Sequence, residues 1–312
     1  MAVQVEIWER YLVDRLWKQN AFLKNSAVSE SGDVIQGKIV HIPQPGAKPV
    51  VVKGRNTFPA IAVQRMDPEV TYSLDAYTTD PTHIFEADKR EISYDKMDSV
   101  MGDHAGQLAE TIADDLLIKW ATGLSGSGIY QVAGAPAAAV VQGQTGTRKT
   151  MTVNDLKKLM TLMNRANVPK NDRYVLLEAN HYDQLISDLS ATQYRDFSEY
   201  FDAAHGIVGK LFGFSIMVRS NVCMVSGAPG EGMLVANGFG VNALGQAVSP
   251  SDHVMSLAWQ KSCVAQAIGE VKMFQNTEDA LYYGDVYSAL VRMGGRRRRN
   301  DNLGVIGIVS TP

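Results

Sequence analysis

Two short motifs in this 312-residue chain carry residue types that could do chemistry. Gly143 to Thr150, GQTGTRKT, follows an apolar run and precedes an expected helix, which is the setting of a phosphate-binding loop. Such a loop needs glycine directly before its lysine so that backbone amides can wrap the phosphates, and Arg148 stands there instead. The segment reads as a polar linker. Gly123 to Ile129, GLSGSGI, places a serine between glycines, as a nucleophile elbow does. Its second glycine falls one place early, and a helix precedes it where an elbow needs a strand, so it reads as a helix exit.

The remaining reactive side chains are scattered. His41, His83, His104, His181, His205 and His253 form no pair at the spacing of helical or finger-type metal ligands. His83 beside Asp80, Glu86 and Asp88, and His104 beside Asp103, read as ordinary solvated pairs. Glu110, Asp114 and Asp115 fall on an expected helix and read as its wet face, because adjacent helical residues do not face one another. Cys223 and Cys263 are the only cysteines, and in a chain of this length they are expected to be buried, reduced thiols. No catalytic, cofactor-binding or metal-binding constellation emerges, and no cofactor is expected.

One charge run stands out, Arg296, Arg297, Arg298 and Arg299. It suits either a weak, salt-sensitive contact with nucleic acid or an exposed basic tip that meets an acidic neighbour, and the second reading is favoured. A net charge of -3 excludes a protein that coats DNA as a whole. The N-terminal residues are interrupted by Glu6, Glu9, Arg10, Asp14, Arg15 and Lys18, and no uncharged apolar stretch reaches eighteen residues. Neither a signal peptide nor a membrane span is expected, and the cytosol is the expected site of synthesis.

The elements that must position these residues follow from periodicity. Ile7 to Leu23 spaces Trp8, Tyr11, Leu12, Leu16 and Trp17 at helical intervals, an amphipathic arm whose stripe needs a partner in its own domain or in a neighbour. Asp33 to Asp88 reads as strands (Val34 to Ile42, Val50 to Val52, Val70 to Tyr77) broken by Pro43, Pro45, Gly46 and Pro49. Apolar residues are sparse there. The stretch therefore reads either as a protruding β-hairpin completed by another copy of the chain or as a surface loop region.

A spine helix is expected from about Asp95 to Ala121, its stripe formed by Met97, Met101, His104 or Ala105, Leu108, Ile112, Leu116 and Trp120, with Gly123 ending it. Thr152 caps a helix from Val153 to Ala166, with Asp155 completing the cap. A strand, Tyr174 to Glu178, leads into a helix from Asn180 to Leu189. Two strands, Ile207 to Leu211 and Ser215 to Arg219, turn at Gly213. The last strands are Leu257 to Trp259, Cys263 to Phe274, Tyr283 to Met293 and Val305 to Val309, the final two expected to join as a hairpin through Gly294 to Asn302. This is an α+β pattern.

The order of these elements resembles the major capsid proteins of tailed bacteriophages. The resemblance rests on the arm and extended β-rich loop, on the spine EISYDKMDSVMGDHAGQLAETIADDLLIKWATG, and on MTVNDLKKLMTLMNRANVPKNDRYVLLEANHYDQL followed by GIVGKLFGFSIMVRSN. It rests also on the close, LYYGDVYSALVRMGGRRRRNDNLGVIGIV. The run of four arginines departs from the family's one or two basic residues. No long helical prodomain precedes the arm, which implies a separate scaffolding protein.

The resemblance implies the tailed-phage coat fold: an N-terminal arm (residues 1–32), an extended β-hairpin loop (33–92), a peripheral domain (93–150 and 257–312) and an axial domain (151–256). It implies self-assembly into hexamers and pentamers of an icosahedral virion shell around double-stranded DNA, made in the host bacterial cytoplasm. Portal and decoration proteins are further expected partners, and DNA contact is expected to be weak and non-specific. Candidate inter-subunit contacts are Trp8, Tyr11, Leu12, Lys38, Lys53, Arg55, Tyr72, Tyr77 and the four arginines. Lys38, Lys48 and Lys53 read as solvated lysines, with covalent linking between subunits conceivable. The rival readings are an encapsulin-like nanocompartment shell and a soluble enzyme whose site the motifs do not reveal.

Overall fold

Apolar residues arranged with period two and period 3.6 build two sheets around one long helix. The computed structural model describes residues 9–16, 20–35, 39–44, 46, 49–56, 58–59, 62, 64–86, 96–124, 128–140, 144–226, 234–235, 252–279, 281–299, 301 and 303–312. In chain order the first elements are helices α1 (9–16) and α2 (Ala21–Ser26), then strands β1 (Val28–Ser29), β2 (Val34–Ile35), β3 (Ile39–Pro43), β4 (Glu69–Ser73), β5 (Asp75–Thr78) and β6 (Thr82–Phe85). Next come the spine α3 (Lys96–Ala121), β7 (Ile129–Gln131), β8 (Pro136–Ala138), β9 (Thr147–Lys149), α4 (Val153–Arg165), β10 (Arg173–Glu178), α5 (Ala179–Asp188) and α6 (Ala191–Ser198). The chain continues through β11 (Ile207–Leu211), β12 (Phe214–Arg219), β13 (Cys223–Ser226), β14 (Leu234–Val235), β15 (His253–Gln260), β16 (Val264–Asp279), β17 (Gly284–Arg297) and β18 (Val305–Val309).

The spine has 26 residues and is about 39 Å long at 1.5 Å per residue. Its expected stripe is buried at Met101, Ala105, Leu108, Ile112, Leu116 and Trp120, and a second stripe, Ala109, Ala113, Leu117 and Ala121, is buried as well. Two buried stripes mean two partners. One is the five-stranded sheet β1-β16-β17-β5, whose strand β17 also pairs β6, and the other is an eight-stranded mixed sheet.

In the eight-stranded sheet β15 is the axis, paired along one edge with β13 and β10 and along the other with β18. Both faces are covered, so its strands read as continuous apolar runs rather than as alternation. Leu176, Leu257, Trp259, Val305 and Val309 turn toward the spine. Their neighbours Val175, Leu177, Ala258, Ile306 and Ile308 turn to the other face, under α4 (Leu156, Leu159, Met163), α5 (Leu185) and α6 (Phe197). β15 and β18, grouped with the spine in the sequence reading, thus share a sheet with β10 and β12.

Local expectations hold at the caps and tight turns. The Thr152 backbone amide and hydroxyl both donate to Asp155 Oδ2, at 2.9 and 2.8 Å, at the start of α4. Gly123 takes φ +76 just past the spine. Phe212 and Gly213 take φ +49 and +81 between β11 and β12, the positive pair that a two-residue hairpin turn requires.

Three expectations are corrected. Residues 50–52 are exposed and form no strand. β17 and β18 are not a hairpin: β17 runs on through Gly294 to Arg297, paired with β16, while β18 crosses to the other sheet. Gly294 and Gly295 are therefore strand residues, needed for close approach. A Cβ on Gly294 would meet Ser73 O at 2.7 Å, and one on Gly295 would meet Ala265 O and Leu116 Cδ2 at 2.7 Å each. The third correction concerns the extended region, whose root is completed by its own chain. Val40, Ile42, Val70 and Tyr72 alternate inward from β3 and β4 and pack with Leu74 on Ala265 and Ala267 of β16. Four inward side chains suffice because glycines at 269 and 294 let the segment lie close.

Candidate inter-subunit surfaces

Where it is described, the arm does not keep its stripe free; Trp17 lies outside the described residues. Leu12 and Leu16 of α1 and Phe22 and Leu23 of α2 are buried in the core that holds the spine. Asn20 Nδ2 donates to Ala109 O at 2.7 Å, and Trp259 Nε1 donates to Ser26 O at 2.8 Å. Leu12 is therefore a core residue of its own subunit, which corrects its expected role as a contact. Tyr11 is half-buried, and Arg15 donates to its hydroxyl at 2.5 Å with the guanidinium 5.8 Å from the ring centroid. Trp8 and Lys38 lie outside the described residues.

Tyr72 is also internal, which corrects a second expected contact. It is buried, and its hydroxyl donates at 3.2 Å to Glu30, whose other carboxylate oxygen accepts from Arg298 Nε at 2.8 Å. Glu30 thereby ties the loop root to the strand after the arm. Tyr77 donates to Asp115, and Lys119 bridges Asp115 and Asp75, so β5 is pinned to the spine. Burial, followed by the Asp115 hydrogen bond, pushes the Tyr77 phenol far up.

The arginine run is not a basic tip. Arg296 and Arg297 pair as strand residues with Ala265 and Val264. Arg296 donates to Thr71 O at 2.7 Å, Arg297 to Thr122 O at 2.6 Å, and Arg299 forks onto Asp301 at 2.9 and 2.5 Å. Arg296, Arg297 and Arg298 thus each fasten distant parts of one subunit, whereas Arg299 pairs locally and, like Arg296, stays exposed.

Buried polar groups elsewhere also serve packing. His181 is fully enclosed, its Nδ1 2.6 Å from Ser256 Oγ and its Nε2 2.7 Å from Ser310 Oγ. Ser310 Oγ gives its hydrogen to Lys149 O at 3.0 Å, so it accepts from Nε2–H. Ser256 then donates to Nδ1 while accepting the Glu178 amide at 3.0 Å. Burial, opposed by the Asp155 charge, lowers the His181 pKa to about 4. This serine–histidine pair has nucleophile-and-base geometry, but Ser256 is wholly buried and no substrate can reach it. His104 faces a cavity of about 520 Å³ between the spine and the β5–β6 segment. Among the described residues no three His, Cys, Asp or Glu side chains form a group that could hold a metal ion.

Among the described residues, exposed large apolar side chains gather at Tyr194, Tyr200 and Phe201 in and after α6 and, more exposed still, at two tips. On the loop, Val50, Val51, Phe58 and Met66 are 84, 91, 75 and 82% exposed, and Lys53 and Arg55 are exposed beside them. At the turn of the β16–β17 hairpin, Leu281, Tyr282 and Tyr283 are 84, 54 and 74% exposed, with Phe85 of β6 nearby in the same sheet. Sequence reasoning missed this second tip. Its signal was the LYY run after the polar stretch NTEDA, an apolar triplet where a turn is expected. Surfaces of this kind serve association rather than catalysis.

A spine helix between two sheets, with an arm and a protruding loop, is the architecture of a tailed-phage coat protein. The chain belongs to the phage capsid protein family, whose model matches residues 17–283, and its role is that of a structural capsid protein. No curated protein sequence matches it. Among solved structures, the capsid of cyanophage P-SCSP1u superimposes with a TM-score of 0.62 at 19% identity, covering 92% of this chain and 86% of that one. The cyanophage Pam1 capsid gives 0.61 at 8% identity, with 94% and 91% covered. A virus-like particle from Pyrococcus furiosus gives 0.53 at 11% identity, with 98% and 99% covered. At these identities the likeness shows the fold. No described helix is long and apolar enough to cross a membrane.

Proposed function

We propose that this capsid protein closes, by repeated contacts between copies of itself, into hexamers and pentamers of an icosahedral shell that encloses double-stranded DNA. The observation that supports this is the loop: its root is locked into its own subunit, while its tip exposes Val50, Val51, Phe58 and Met66 to solvent. A firmly based arm with an apolar end is costly for a lone subunit and useful in a lattice. Head-to-tail contacts close into rings, and a subunit held at several places must break all of them to leave.

In this reading the five-stranded sheet and spine form the peripheral part, the eight-stranded sheet with α4, α5 and α6 forms the axial part, and assembly takes place in the bacterial cytoplasm. A separate scaffolding protein, a portal and a decoration protein would complete the shell. DNA contact would be weak, because the chain carries a net charge of -3 and four arginines neutralise few phosphates. The test is expression with the neighbouring phage genes, followed by sedimentation and negative-stain microscopy. Closed particles containing nuclease-protected DNA are expected, and Val50→Asp with Val51→Asp should leave the subunit's melting temperature unchanged while abolishing particles. A chain that stays monomeric with every such partner refutes the proposal. A shell without DNA is the second reading, and the nuclease-protected content decides between the two.

A further inference from the structure

We infer that the groove between the spine and the β5–β6 segment binds a linear aliphatic polyamine, a ligand separate from the contacts that would build a shell. The groove measures about 520 Å³, within the roughly 300–1,000 Å³ of small-molecule sites. One wall is a face of α3 carrying Val100, Asp103, His104 and Leu108, and the other is the end of β5 and the turn into β6, carrying Thr78 and Asp80. Tyr77, which also lines the groove, donates to Asp115 and so fixes one wall on the other. The site is therefore formed before any ligand arrives.

Its charge selects a cation. Asp80 and Asp103 stand exposed on opposite walls, and neither makes a hydrogen bond or ion pair among the described residues. No lysine or arginine lines the groove, and Lys119, further along the spine, is held by Asp75 and Asp115. Two surface acids alone would gather only loose counter-ions. His104 adds the further requirement: it is 7% exposed, it lines the groove, and its Nε2 is buried without a hydrogen-bond partner. A buried nitrogen is costly to leave unpaired, and rotation about χ2, which is soft for histidine, turns it toward an occupant. Burial, opposed by the Asp103 charge, lowers the His104 pKa, so near neutral pH the ring offers a lone pair instead of a positive charge.

A metal ion does not meet these needs. Asp80, Asp103 and His104 are not gathered into a group that could hold one. Acceptors spread along a groove call for an elongated ligand with several N–H donors, and Val100 and Leu108 call for an apolar stem between them. An alkyl chain with an ammonium at Asp80, another at Asp103 and an amine N–H directed at His104 satisfies all of them. Bound there, it would clamp the β5–β6 segment on the spine.

The test is titration calorimetry of the purified full chain with spermidine, a triamine, and with magnesium chloride as the comparison. Spermidine should bind once per chain. Asp80→Asn and Asp103→Asn should each weaken it about fivefold, the effect of an exposed ion pair, and His104→Leu about tenfold or more. Glu110→Gln removes an exposed spine carboxylate outside the groove and should change affinity by less than about twofold. Carbon-13 NMR of the histidine rings reads the contact in the unaltered protein. Spermidine should move the Cε1 resonance of His104, assigned by its loss in His104→Leu, and magnesium should not. Affinity indifferent to both asparagine changes, equal binding of magnesium, or a His104 resonance that stays in place overturns the inference. None of these results touches the shell reading, which particle formation decides.

Discussion

Gly295→Ala tests whether the spine and the five-stranded sheet are in contact with no slack. The added Cβ would sit 2.7 Å from Ala265 O, 2.7 Å from Leu116 Cδ2 and 3.3 Å from Trp120 Nε1, which itself donates to Ala265 O at 3.2 Å. Backbone oxygen cannot step aside, so the helix must move. Overpacking of this kind costs about 1–3 kcal/mol and loss of the indole hydrogen bond about 1 kcal/mol, offset by about 0.4–1 kcal/mol of unfolded-state entropy. The net loss is about 1–3.5 kcal/mol.

Unfolding entropy near 2.1 cal/mol/K per residue gives about 0.65 kcal/mol/K for 312 residues, so the melting temperature should fall by about 1.5–5 °C. Differential scanning calorimetry of the unassembled subunit measures it. Gly32→Ala is the control, because a Cβ there meets nothing within 4 Å and φ is ordinary. If the two alanine variants melt together, the close approach of spine and sheet is not what the structure depicts.

His181 predicts an acid limb. Its folded pKa of about 4 lies below the ordinary 6.5, so the unfolded chain binds the proton first and stability is lost as pH falls from about 6.5 to 4. The loss is of order 3 kcal/mol, and His181→Gln should flatten that part of a stability-against-pH curve. Arg298→Ala leaves the Glu30 carboxylate buried with less compensation, and urea unfolding should show a loss of about 1–3 kcal/mol. Both cysteines are buried, and burial pushes the Cys223 thiol up to about 12. A thiol reagent should therefore label neither in the native subunit and both in denaturant.

What the sequence made legible was whatever depends on near neighbours in the chain. The spine stripe, the Thr152–Asp155 cap, the Phe212–Gly213 turn and the alternation of β3 and β4 all follow from local spacing. α6 went unnoticed because ATQYRDFS buries only Phe197 and shows no stripe. The misreadings involve pairing over long distances. Gly294-Gly295-Arg carries turn chemistry on its face, and only the presence of Leu116, Trp120 and Ala265 behind it makes it strand. The arginines looked free because Thr71, Thr122 and Glu30, which occupy them, come from distant segments. Tyr72 and Leu12 were misplaced for the same reason: periodicity tells which side chains are apolar together and is silent on which body covers them.

The placement of β18 reaches into how such a chain is made. Gly307 to Val309 supply the parallel partner of Ile129 to Gln131, and Val305 to Val309 zip along β15, contributing apolar side chains to both cores. A nascent polypeptide emerging from the ribosome therefore holds β7 without its mate until synthesis has passed residue 309. A copy cut short by a broken message lacks the piece that welds its two halves and is left to proteases. Faulty bricks are thereby sorted out before they reach the wall.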